Sequence, residues 1–160
     1  MAEGIGAGVQ ESVYVGFETS SLTTAIAVGQ LVELDASGDI ILCSAAVTIK
    51  MIGVAASGVA TRTVASQELI SVQVAGVARV YTMYDSAGTY TTAIVPGERL
   101  MVGEDSPSAY DGQVLVHATA AAGTTSDFNT DFRKPVAIAL EANSSVAATT
   151  PVVKKVLLTL

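Results

Sequence analysis

The chain has 160 residues, half of them apolar, 14% charged and 5% aromatic with no Trp, and its formal net charge is -7. That length suits one domain, able to bury roughly 70% of the surface its unfolded form exposes, and a lone Cys cannot form a disulfide within it. The bases are scattered, with only Arg133-Lys134 and Lys154-Lys155 adjacent, which excludes the basic stripe that direct DNA or RNA binding needs.

Residues 1–27 read as an N-terminal arm. MAEGIGAG is glycine-rich, whereas Glu11 to Phe17 (ESVYVGF) is aromatic and β-branched but too short to make a stable hairpin alone. Such a segment gains stability by adding to a sheet edge, of its own chain or a neighbour's, so Val13, Tyr14, Val15 and Phe17 are candidate contact residues. An ordinary first strand followed by a Thr/Ala loop is the other reading.

From residue 28 to 160 the pattern predicts a β-barrel or sandwich. Leu31 to Leu34 and Ile40 to Cys43 flank Asp35-Ala36-Ser37-Gly38-Asp39, a hairpin signature whose turn residues tolerate left-handed backbone or bond their own main chain. Met51 to Ala56 follows, then a turn around Ser57-Gly58.

The stretch Glu68 to Tyr81 (ELISVQVAGVARVY) organises the rest. Ile70, Val72 and Val74 alternate with Ser71 and Gln73, a two-residue period that buries one face and wets the other. Beyond Gly76 the apolar Val77 falls on the polar face, which predicts a bulge or bend where the strand leaves one sheet for another. The loop from Tyr81 to Thr92, with Tyr84 and Tyr90, is a candidate partner contact or a Tyr-rich hairpin tip.

The second half replays the first. Pro96 to Val102 matches Val28 to Leu34, Gly112 to Val116 matches Gly38 to Leu42, and Pro135 to Leu140 matches Met51 to Ala56, with insertions near 105–111 and 120–129. A strand from Val152 closes the chain. No sustained helical period is present, and at most one short helix is expected after Glu141. The fold class is therefore all-β, a small barrel or sandwich of about ten short strands in two similar halves, with an N-terminal arm.

Chemistry has little to rest on. No Gly-Lys-Ser/Thr phosphate loop occurs, and Gly4, Gly6 and Gly8 lack the preceding strand and following helix of a dinucleotide loop. His117, the single histidine, reads as a half-exposed strand residue, and one His with one Cys leaves structural zinc without ligands. The carboxylates at Glu33, Asp35 and Asp39 and at Glu104, Asp105 and Asp111 flank turns without calcium-loop spacing. No catalytic residue, cofactor or metal is expected. Cys43 reads as a small buried residue, which suits a reducing cytosol or a particle assembled there. No targeting or membrane-spanning segment is expected, since Glu3 stands where a leader carries bases and the apolar stretches fall short of about 20 residues. Charge content below the usual ~25% suggests a surface covered by an oligomer or assembly; a monomer with a Ser/Thr/Gln surface is the rival.

Taken together, Gly29 to Leu34, Ile52-Gly53-Val54-Ala55, Ile70 to Ala78, Gly97 to Leu100 and Val136 to Ala142 resemble the capsid cement, or decoration, proteins of tailed viruses, a small β family once mislabelled as recombinase-like. The resemblance covers about residues 28–142. It implies a β-barrel protein on the outside of an icosahedral head, often a homotrimer, that binds the major capsid protein and braces the shell against genome pressure. It implies assembly in the host cytoplasm, with no direct nucleic-acid or membrane partner. The long N-terminal segment departs from the family pattern. A tail or spike component and a ligand- or sugar-binding β domain are the alternatives.

Overall fold

A computed structural model of the chain describes residues 11–19, 25–43, 51–60, 68–83, 93–103, 114–117, 135–144 and 151–160. These contain β1 (Val13–Thr19), β2 (Leu31–Leu34), β3 (Ile40–Leu42), β4 (Met51–Ala55), β5 (Glu68–Thr82), β6 (Arg99–Val102), β7 (Leu115–His117), β8 (Ala137–Ala139) and β9 (Val152–Leu158), and no helix. The fold is all-β, a curled sheet of mostly antiparallel strands. The helix expected after Glu141 is not formed over the described residues there, because Asn143 is held in a bridge with Ile94.

β5 belongs to two sheets, and Gly76 divides it. Residues Glu68 to Ala75 pair with β1 and β4, while Gly76 to Thr82 pair with β9. Gly76 has φ +89°, and a Cβ there would sit 2.7 Å from Ser12 Cα and 2.8 Å from the Glu11 carbonyl oxygen. Only glycine satisfies both the left-handed backbone and that approach. The register slips just before it, with Val13 opposite Ala75 but Tyr14 opposite Gln73, so the bulge falls at Val74. Gln73, expected on the wet face, is buried instead. Its Nε2 donates to the carbonyls of Ala75 (3.2 Å) and Val77 (2.8 Å) and to Ser12 Oγ (3.1 Å), so it binds polar groups on both sides of the bend.

The duplication is written in the hydrogen bonds. Gly29 and Gly97, at φ +89° and +93°, close matching turns in which the amides of Gln30 and Glu98 donate to the carbonyls of Ala27 and Val95. The side chains reciprocate: Gln30 Oε1 accepts from the Ala27 amide at 2.7 Å and Glu98 Oε2 from the Val95 amide at 2.8 Å. The Gly29 amide donates to Ala55 O as Gly97 donates to Ala139 O, and the bridge Ile26–Val59 is repeated as Ile94–Asn143.

Strand pairing extends the match. Val54↔Gln73 and Ala55↔Val72 recur as Ile138↔Leu157 and Ala139↔Val156, so β9 is the counterpart of the first half of β5. Val15↔Val72 and Thr19↔Glu68 recur as Ala78↔Val156 and Thr82↔Val152, so β1 is the counterpart of the second half of β5. Even the hydroxyls agree: Thr19 Oγ1 donates to Glu68 O and Thr82 Oγ1 to Val152 O. The N-terminal repeat is β1 to mid-β5, and the C-terminal repeat is mid-β5 to β9. One sequence match needs correction: Val32 pairs with Leu42 and Leu100 with His117, so His117, not Val116, stands in the place of Leu42.

In the C-terminal repeat the pairings run in a closed circuit, β5 to β7, β6, β8, β9 and back to β5, with Thr82↔Leu115 as the parallel closing link. The N-terminal repeat is a curl of β1, β5, β4, β2 and β3 in which no pairing joins β3 to β1 among the described residues. Its own core holds Ile26, Val32, Ile40, Ala55, Ile70 and Val72. The opposite face of its β2 and β4, with Leu31, Cys43, Met51 and Val54, packs into the core of the C-terminal repeat against residues such as Val80 and Leu100. Burying each such aliphatic side chain contributes about 1.5–3 kcal/mol.

Candidate functional site

Successive strand residues point to opposite faces, so a strand in a sheet with one buried face alternates between covered and open. β1 does not do so at its start: Val13, Tyr14 and Val15 are 47%, 55% and 40% exposed. Both faces of β1 are therefore open there, and its second edge has no strand partner among the described residues. Deeper in, Phe17 is half-buried against the N-terminal core and Thr19 is buried. The result is an exposed apolar strand start, held in the sheet along β5 by antiparallel pairing of its own chain.

The tyrosines do not join this patch as a group. Tyr81 is half-buried against Met83, Met101 and Val114 in the C-terminal repeat, and its amide donates to Gly29 O at 3.4 Å. Tyr84 and Tyr90 lie outside the described residues.

Two polar clusters were not legible beforehand. Cys43 Sγ lies 3.7 Å from Glu33 Oε2, both buried. Burial first, then the Glu33 charge and hydrogen bond, pushes the thiol pKa up to about 12, so Cys43 is a protonated donor rather than a nucleophile. Asn143 Nδ2 donates to Thr82 O (3.3 Å) and Oγ1 (3.0 Å), tying the bridge at the end of β8 to the end of β5. Of the other candidates, His117 pairs with Leu100 along the β6–β7 ladder. Among the described residues no group of three or more His, Cys, Asp or Glu is placed to hold a metal. Nor is any helix among them long and apolar enough to cross a membrane.

A second surface feature was also missed. Arg99, Pro135, Ala137, Ile138 and Thr159 line a groove on the outside of the C-terminal repeat. The signal was present in the repeat match, where exposed Arg99 stands opposite Leu31, which is fully buried. In comparisons with known proteins, no family model matches the chain and no curated protein is similar to it.

Proposed function

We propose that this chain is a virion structural protein, a capsid decoration or cement protein that binds the major capsid protein on the outer surface of an icosahedral head. The observation that carries the reading is β1, whose Val13 and Tyr14 side chains are exposed on a strand fixed by main-chain pairing. An exposed apolar strand start of this kind suits strand addition or packing against another protein. The turns, paired strands and small side chains around it supply a rigid platform rather than a reaction centre. The motif resemblance in residues 28–142 gives the reading its class, including assembly as a homotrimer. Each contact with a shell can be weak, because many copies act together around the head.

Co-sedimentation of the purified protein with heads stripped of it tests the proposal. Saturable binding at a fixed ratio to the coat subunit, with heads that resist heating better, is the expected result. Replacing Val13 and Tyr14 by Ser should weaken that binding about tenfold while leaving the thermal unfolding of the free protein unchanged. A well-folded protein that never sediments with heads would overturn the reading and turn attention to a tail or spike component or a ligand-binding domain.

A further inference from the structure

The outer face of the C-terminal sheet carries a charge pattern that its own ladder disfavours. Register sets the side chains of β5 and β9 in rows, with Val77 opposite Leu157, Arg79 opposite Lys155 and Tyr81 opposite Val153. The residues between them, Ala78, Val80, Val156 and Leu158, are buried in the core, so the rows lie on the outer face. The first row runs on through Ile138 of β8 to Arg99 of β6. Val77, Leu140 and Val153 are 42%, 42% and 39% exposed, and Arg79, Arg99 and Lys155 are exposed with them. Three of the four bases among the described residues thus share one face, in a chain of net charge -7.

Like charges directly opposite one another on a ladder are destabilising. Arg79 and Lys155 stand in that relation, and one carboxylate serves both. Glu141 Oε1 lies 3.6 Å from Lys155 Nζ, its Oε2 accepts from the Lys155 amide, and the Arg79 charge also reaches it. The duplicated backbone does not require the pair. In the N-terminal repeat the same row is Gly16 opposite Ser71, and Ser57 stands in for Glu141 as acceptor from the Ser71 amide. The cations are therefore particular to one repeat, at positions where the ladder forms equally with neutral residues.

We infer that this face binds an acidic extended segment of another protein, laid along β9 with a carboxylate over Arg79 and Lys155 and aliphatic side chains on Leu157 and Val153 to either side. Residues two apart on an extended chain repeat at about 6.5–7 Å, the step from Val153 to Lys155 to Leu157, so the segment reads aliphatic, acid, aliphatic at alternate positions. The groove of Arg99, Pro135, Ile138 and Thr159 continues the first row and takes a second carboxylate, which a guanidinium holds through two parallel hydrogen bonds. Aliphatic side chains fill as much of the face as the bases do, which suits a polypeptide. A phosphate polymer is held by a longer basic stripe, and an anionic bilayer by a denser cluster of bases.

The test titrates the purified full chain with a fluorescent peptide of about twelve residues that alternates Val and Glu with Thr between them, read by anisotropy at two salt concentrations. A control peptide carries Gln for Glu. The acidic peptide should bind about tenfold tighter than the control and lose that advantage as salt rises. Arg79→Gln or Arg99→Gln should each weaken it about three- to fivefold. Glu141→Gln keeps an acceptor for the Lys155 amide but releases both cations, so it should strengthen binding by a similar factor, a gain that damage to the fold does not produce. Circular dichroism checks that each variant is folded. Equal binding or none for the two peptides, a Glu141→Gln variant that binds no tighter, or a preference for phosphatidylserine vesicles or a DNA oligonucleotide would overturn the inference. Head binding is read separately through Val13 and Tyr14, whose replacement by Ser should leave peptide binding unchanged, so either proposal can fail without the other.

Discussion

Gly53 and Ala137 occupy the same place on β4 and β8, yet a Cβ on Gly53 would lie 2.5 Å from Gln73 O and 2.6 Å from Val72 Cγ1, while Ala137 carries one and is fully buried. The N-terminal curl is drawn tighter at this point than the closed C-terminal barrel. A similar exchange occurs at the bridges, where the place of apolar Val59 is taken in the C-terminal repeat by Asn143, whose amide is bonded to Thr82. The comparison teaches that a duplicated backbone plan fixes turns and pairings, while each copy settles its interior by what it packs against. One copy closes on itself and receives the other; the first has no pairing that closes it among the described residues.

The comparison can be broken most severely at Gly53. Gly53→Ala puts a methyl into main chain that has no room to yield, and should cost about 3 kcal/mol or more, whereas Ala137→Gly should cost about 1 kcal/mol; urea denaturation of both variants measures the difference. Equal losses would mean that the two sheets are equally tight. Next comes Gly76→Ala, which meets Ser12 and Glu11 as well as an unfavourable φ; a loss of about 2–3 kcal/mol is expected. Asn143→Val, which writes the N-terminal residue into the C-terminal bridge, leaves Thr82 O without its side-chain donor and should cost about 1–3 kcal/mol. Smaller again is the contrast between Gly29→Ala and Gly97→Ala. Both share the backbone penalty, and only the former meets Arg79 and Tyr81, so its extra loss, about 1 kcal/mol, isolates the packing between repeats.

The mildest test concerns Glu141, whose carboxylate Oε2 accepts from the Lys155 amide at 3.1 Å as Ser57 Oγ accepts from Ser71 in the other repeat. That backbone hydrogen bond, and then the charges of Lys155 and Arg79, lower its pKa below the ordinary carboxylate value. The folded value lies below the unfolded one, so the stabilisation is present at neutral pH and fades as pH falls through the lowered folded value. A carbon-detected NMR titration should place the Glu141 midpoint below that of an unstructured Glu, and Ser57, which does not titrate, gives the N-terminal repeat no such dependence.

The sequence showed those features that depend on local backbone chemistry. Gly29 and Gly97, the Asp35 turn, where Oδ1 accepts from the Ser37 and Asp39 amides, and the break at Gly76 all follow from residues that few others can replace. The matches of 28–34 with 96–102 and of 51–56 with 135–140 stand in register for the same reason. Matching β3 to β7 by their leading glycines missed by one residue, because ladder register is set by the paired strand and not by the turn before it. That β1 repeats the second half of β5 was hidden, since main-chain pairing tolerates nearly any side chain and the two share little beyond Thr19 and Thr82. The exposure of Val13 to Val15 is what an apolar segment without a hairpin partner of its own leads one to expect. Tyr81 is half-buried against Met83, Met101 and Val114, a packing an aromatic at a strand end takes up without any pattern to announce it, and the Arg99 groove shows only when the two copies are laid side by side.

A strand shared between two repeats leaves no linker to cut. The first curl needs only residues up to Ala75 for its ladders, so it can take shape early on the ribosome. The second half of β5 must then wait, its edge unpaired, until Val152 to Leu158 has been made. Synthesis itself imposes an order on the halves, and a chain stalled before β9 would present that edge to any neighbour able to add a strand.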